Sequence, residues 1–287
     1  MRYSGSLSIK HPLTDPPSSS RPLLYHYMKA DHLGSVLRSS TLWLGPWNKL
    51  NDPRESRNWT ASDLVMPAGG VGLDSLKAQK AVEDEVDRVL RRGARLACFT
   101  QDGRPTVGAA SGTHFHRGWG RAAMWDRYAG GHQGVCLVFD QVELLSRVEE
   151  TVPVGDGNIT TWGSVRYVDA PLDVPVAGAF TSVHDLRVAL DEMTSQRWVV
   201  NDLYMTKNRD WESEREFRVV VVRWNLPDAE LDEPLRVPLD DCLRAVVVGE
   251  AGDADGAAAL VRSPGTSGVD VLRCEWVAGA PVLRPGP

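Results

Sequence analysis

The chain has 287 residues and a net charge of −6, long enough to bury about three quarters of its unfolded surface in one large or two modest domains. The acidic balance argues against the general basic footprint of nonspecific nucleic-acid binders and leaves only a local basic patch around Arg91, Arg92 and Arg95. Cys98, Cys136, Cys242 and Cys274 stand singly, with no CxxC pair, which argues against a zinc ribbon or a disulfide framework and reads as reduced core thiols.

Residues 1–21 are rich in Ser, Pro and polar groups and read as a flexible arm. The N-terminus has no apolar stretch of signal-peptide length, and no run of about eighteen apolar residues occurs; the expectation is a soluble cytoplasmic protein with no membrane partner. From Leu23, LLYHYM reads as a first strand. Asp31 is positioned to cap a helix carrying Leu33, Val36 and Leu37. Thr41–Leu44 reads as a second strand, followed by the loop GPWNKLNDPRES, built from the turn formers Gly45, Pro46, Asn51, Asp52 and Pro53.

A long helix is expected over 74–92, with Gly93 as its stop. A strand over 95–100 precedes a long Gly-rich loop. AAMWDRYA (122–129) reads as a short helix, GVCLVFD (134–140) as a buried strand, and 141–149 as a helix. Alternation over 159–168 suggests a hairpin. A single helix is expected over 184–205, with Leu186, Leu190, Met193, Trp198 and Leu203 inward. The pattern after Pro227 is strand, helix, strand, an α/β extension of the sheet. The divisions are therefore an arm (1–21), a catalytic core (22–226) and a packed C-terminal extension (227–287).

Chemistry concentrates in DWESEREFRVVVVRW, residues 210–224. If the chain is extended from about Ser213, then Glu212, Glu214, Glu216 and Arg218 share one side, with second neighbours ~6.5–7 Å apart. The Val219–Val222 run is that of a buried strand, so carboxylates are carried to the edge of a core, where desolvation and like charge shift their pKa. Glu216 lies closest to the apolar run; Glu212 reads as solvated. The competing reading is a solvated strand entry paired with Arg215 and Arg218. His114 and His116 share a side of an extended segment but lack further ligands at recognisable spacing. No nucleophile elbow, GxGxxG after a strand, or phosphate loop is present. Trp125 and Tyr128, at i and i+3, either bracket a planar ligand or anchor the core.

The order LYHYM, LWLGPWNKLNDPRE, CFT, MWDRYAGGHQGVCLVFD and Lys207…Trp211…Glu214-x-Glu216-Phe-Arg218 resembles the bacterial domain of unknown function 2971, over about residues 23–223. More loosely it resembles ADP-ribosyltransferases of the His-first subclass. That resemblance implies an α+β fold: a mixed, largely antiparallel split sheet flanked by helices, with the α/β extension at its C-terminal end.

It also implies NAD as substrate, with no metal expected. His26 would fix the ribose, Glu216 would be the catalytic carboxylate, Glu214 would orient the nucleophile, and Tyr128 would stack on nicotinamide. Asn51 and Asp52 would line the acceptor side, and Tyr27, Trp125 and Arg218 complete the nucleotide-binding set. The implied activity is ADP-ribosyl transfer or NAD glycohydrolysis, in a toxin or phage-defence setting, with the acceptor (nucleic acid, protein or small molecule) undetermined. The alternatives are a metal-dependent nuclease using Asp52, Glu55, Glu214 and Glu216, and a noncatalytic nucleotide-binding module.

Overall fold

The computed structural model describes residues 11–14, 21–50, 52–56, 64–65, 73–104, 114–153, 155, 157–169, 178–179, 183–262 and 268–287. The chain opens with β1 (Leu23–Met28), α1 (Ala30–Ser39), β2 (Thr41–Pro46), the short α2 (Pro53–Ser56), β3 (Leu64–Val65), α3 (Leu73–Val86) and β4 (Ala94–Gln101). It continues with α4 (Ala122–Tyr128), β5 (Val135–Asp140), α5 (Gln141–Thr151), β6 (Asn158–Ser164), β7 (Arg166–Tyr167) and β8 (Gly178–Ala179). Next come α6 (Val183–Thr194), α7 (Arg197–Tyr204), β9 (Thr206–Lys207) and β10 (Glu216–Arg223). The last elements are β11 (Leu235–Pro238), β12 (Leu243–Val248), α8 (Ala254–Val261), β13 (Asp270–Val277) and β14 (Ala280–Pro285).

Ten of the described strands form one open sheet. It is largely antiparallel, with β12 and β13 parallel to each other around α8, and helices flank it. Its continuous path is β6-β10-β4-β1-β5-β12-β13-β14, with the β2-β11 pair attached to β4. The middle strands VCLVFD and FRVVVV are buried along their length, as a sheet covered on both faces requires. On one face α1, α5 and α8 supply Leu33, Leu37, Leu144, Val148, Ala257 and Val261 to a core shared with Phe99, Leu137, Phe139, Val219 and Val246. The opposite face carries two separate cores. One joins α6 and α7 to Leu96, Val220 and Val222; the other packs Trp119, Met124 and Trp125 on Tyr25, Tyr27 and Val138.

β1 and β2 both run antiparallel to β4 on the edge opposite β10, but at different ends of it. Leu24 and Tyr25 pair with Gln101 and Thr100, whereas Gly45 and Pro46 pair with Leu96 and Arg95. Between these two short ladders the sheet is split. His26 reaches into the gap, and its Nδ1–H donates to the Cys98 carbonyl at 2.8 Å, satisfying a buried acceptor that would otherwise carry a desolvation cost.

Several sequence expectations change. The helix expected over 184–205 is two helices, broken at Ser195-Gln196, and Trp198 is 63 % exposed instead of inward. The 159–168 stretch is no hairpin: β6 pairs with β10, and β7 pairs with β9. The helix over 74–92 is α3 continued by a π-helical stretch, Asp87–Arg92. Lys29, not Asp31, precedes α1.

The basic patch dissolves as well. Arg91 and Arg95 are buried, and Arg95 donates to the carbonyls of Arg92, Glu230 and Leu231. Within the expected arm, Leu13 is buried and its carbonyl accepts the Trp119 indole N–H at 3.0 Å. The C-terminal segment adds β12, β13 and β14 to the same sheet.

Trp125 belongs to the core. It is fully buried, its ring meets Tyr27 edge-on at 5.0 Å, and its indole N–H donates to the Trp119 carbonyl. Trp125→Ala is expected to lower the urea-derived unfolding free energy by about 3–5 kcal/mol; a loss under about 0.5 kcal/mol, the range of surface substitutions, would contradict this placement.

Candidate functional site

The split opens a cavity of about 370 Å³ between the two cores of that face. Tyr25, His26 and Tyr27 contribute from β1, Gly45 and Pro46 from the end of β2, and Leu96–Thr100 from the floor strand β4. Asp52 and Glu55 come from the loop and short helix after β2, Tyr128 from α4, and Lys207, Trp211, Glu214 and Glu216 from the segment leading into β10.

That last segment folds on itself. Asn208 caps a 3-10 helix, Arg209–Glu214, by accepting from the Asp210 N–H, and Arg215 at φ 46° turns the chain into β10. Thr100 donates its hydroxyl to the Glu214 carbonyl at 2.9 Å, pinning the turn to β4. Extended alternation from Ser213 therefore does not occur, and Glu212 is solvent-exposed. Glu214 and Glu216 converge nevertheless, because Lys207 Nζ donates to Oε2 of each at 2.9 Å.

Beneath the cavity Arg218 is wholly buried on β10. Its Nε donates to Glu216 Oε1 at 2.6 Å, one terminal nitrogen to the Tyr204 carbonyl at 2.7 Å, and the other to Glu216 Oε2 at 3.1 Å and to Glu55. The guanidinium lies over the Trp47 ring at 5.2 Å. Glu214 Oε1 accepts the Tyr128 hydroxyl at 2.7 Å and pairs with Arg127 at 3.4 Å. Lys207 Nζ sits 4.7 Å from the Trp211 ring centre.

Burial alone would raise the pKa of Glu216, but Arg218 and then Lys207 outweigh it and hold the carboxyl at about 2, so it is an anion at neutral pH. Burial disfavours the Lys207 cation, yet Glu216 and Glu55 raise its pKa. Glu55 is raised, because burial and the neighbouring Glu216 exceed what Arg218 supplies. Burial lowers the pKa of His26; the imidazole is neutral, and its Nδ1 hydrogen bond leaves the lone pair on Nε2. Cys98, half-buried on the floor, is held well above the usual thiol range by burial and then by Glu216.

Of the residues expected in the site, His26, Tyr27, Asp52, Tyr128, Glu214 and Glu216 line this one cavity. Tyr27 presents its ring, since its hydroxyl is spent on the Gly118 carbonyl at 2.6 Å. Trp125 is in the core and Arg218 underlies the floor; Asn51 lies outside the described residues. The carboxylate cage proposed for a nuclease metal is not formed. Lys207 bridges Glu214 to Glu216 and Arg218 bridges Glu216 to Glu55, and no metal-capable group of three or more His, Cys, Asp or Glu occurs among the described residues.

His114 is buried against Trp119, with the two rings 5.4 Å apart. The central role of Lys207 was not legible from spacing, although it stands nine residues before Glu216 in the block that carries the family resemblance.

Residues 124–219 match the family described as a protein of unknown function (DUF2971). The matched stretch contains Tyr128, Lys207, Trp211, Glu214 and Glu216 of one wall and Arg218 beneath the floor, while the lining residues from β1, β2 and β4 lie outside it. No curated protein and no solved structure matches the chain.

Because the Glu216 carboxyl is depressed from 4.5 to about 2 in the folded state, its stabilisation is complete above pH 4.5 and is lost as pH falls toward about 2. In urea melts across that window, wild type should lose stability more steeply than Glu216→Gln. Parallel pH slopes would show that Glu216 is not held as an anion by the fold.

Proposed function

We propose that the cleft binds NAD and breaks its nicotinamide–ribose bond, as an ADP-ribosyltransferase or an NAD glycohydrolase. The observation that carries this reading is an ionised, immobilised Glu216 at the base of an aromatic-lined cleft opened by a split in the sheet. Departure of nicotinamide leaves positive charge on the ribose, and a fixed carboxylate stabilises such an oxocarbenium-like state, as in glycoside hydrolysis.

Tyr25, Tyr27, Trp43, Tyr128 and Trp211 offer aromatic faces to the planar base. The neutral His26, bonded through Nδ1, has Nε2 as an acceptor for a ribose hydroxyl. Tyr128, by its hydroxyl on Glu214, sets that carboxylate's orientation.

One observation favours a second reading, binding without turnover. Every carboxylate oxygen of Glu214 and Glu216 already accepts a hydrogen bond from the protein. Calorimetry with NAD followed by product analysis separates the two: binding with no nicotinamide formed selects the second.

Purified protein incubated with NAD should release nicotinamide, detected by chromatography, at a rate indifferent to chelator. Glu216→Gln should reduce that rate by about 10²–10³, the loss typical when one group stabilising transition-state charge is removed, with circular dichroism unchanged; an undiminished rate in a folded variant eliminates the proposal. Tyr128→Phe, which keeps the ring and removes the hydrogen bond to Glu214, should cost about tenfold in kcat, corresponding to roughly 1.4 kcal/mol, with little change in KM. A change confined to KM would make Tyr128 a binding residue only.

A further inference from the structure

Glu216 also borders a second, more open cavity of about 670 Å³, whose other walls include the carboxylates Asp102 and Glu212 together with Gln101, Arg121, Ser164, Tyr167 and Arg215. Arg121, at the start of α4, is half-buried. One terminal nitrogen donates to the Ser213 carbonyl at 2.8 Å, while Nε and the other terminal nitrogen are shielded from solvent with no hydrogen-bond partner among the described residues. Buried guanidinium N–H groups are rarely left unpaired.

Arg215 follows the turn in the left-handed region, and its guanidinium lies against Gly103, where an added Cβ would stand 1.2 Å from a terminal nitrogen. A side chain at position 103 would displace the end of the Arg215 side chain, which is itself exposed. Among the described residues, neither Arg121 nor Arg215 is ion-paired to a carboxylate. This contrasts with Arg117 and Arg218 close by.

The nearest acids are already committed or solvated. Asp102 is paired with Arg117 at 3.1 Å and accepts from Tyr25 and the Gly118 N–H; Glu216 is held by Arg218 and Lys207; Glu212 is exposed. Burial and then repulsion from Arg215 lower the Arg121 pKa, and Asp102 offsets part of that shift. Arginine forks of this kind suit phosphate oxygens.

We propose that this second cavity is a phosphate-binding subsite in which Arg121 and Arg215 hold a phosphate group of a substrate beside Glu216. Two sources share that chemistry: the diphosphate of the dinucleotide itself, and a phosphorylated acceptor approaching Glu216 from the side opposite the cleft. Placing the phosphate on a substrate rests on the glycosidic reading above; phosphate binding by the two arginines does not.

The test is calorimetry with inorganic phosphate at low ionic strength on wild type, Arg121→Gln and Arg215→Gln, with thermal melts to establish that each variant is folded. Wild type should bind saturably, and each variant should bind about tenfold more weakly, the weight of one charge-assisted hydrogen bond. Absence of binding by wild type, or equal affinity in all three, overturns the subsite. In the nicotinamide-release assay, inhibition by inorganic phosphate that is competitive with NAD assigns the subsite to the dinucleotide, and noncompetitive inhibition assigns it to a second substrate. If no nicotinamide is released, the glycosidic reading fails, while the calorimetric comparison still decides whether the subsite exists.

Discussion

The structure depends on a wholly buried guanidinium, that of Arg218, in the middle of a valine-rich strand. Removing a cation from water costs several kcal/mol even after relaxation, and the fold recovers that cost only when every donor is matched. Here Glu216, Glu55, the Tyr204 carbonyl and the face of Trp47 do so. The consequence is architectural: one side chain ties β10 to α2, to the end of α7 and to the segment after β2. It also fixes the charge state of Glu216, so the ionised carboxylate at the base of the cleft is part of what holds the molecule together.

The cleft exists because β1 and β2 compete for one edge of β4 and each wins only one end of it. A continuous ladder would have filled the space. Instead His26 closes the backbone account at Cys98, and the face opposite α1, α5 and α8 divides into two cores with a cavity between them. Glu216 stands where that cavity and the arginine-lined one meet.

Much of this was legible in the sequence. VCLVFD and FRVVVV read as buried strands, since long apolar runs mark strands covered on both faces; the largely antiparallel sheet was implied by the family resemblance, and the strand-helix-strand pattern after Pro227 gave the C-terminal extension. His26, Asp52, Tyr128, Glu214 and Glu216 were singled out and share a cavity. Glu214 is there for a reason other than strand alternation: Arg215 adopts φ 46° and breaks the extended chain, and the two acids meet because Lys207 draws them together. Trp125 and Tyr128 illustrate the limit of periodicity: three residues apart on one short helix, one is core and the other faces the cavity.

The sequence by itself determined the principal strands, most of the helices that cover them and the crowding of acids before β10, since these follow from apolar period and local composition, which act over a few residues. Tertiary structure alone decided that Glu55 and Glu216, 161 positions apart in the chain, would share Arg218, and that Lys207 would lock the acids in place. It alone decided that β1 and β2 would part, and that Arg121 and Arg215 would face one cavity without either being ion-paired among the described residues. Coulomb attraction and desolvation depend on distance and burial in space, and neither quantity is set by spacing along a chain.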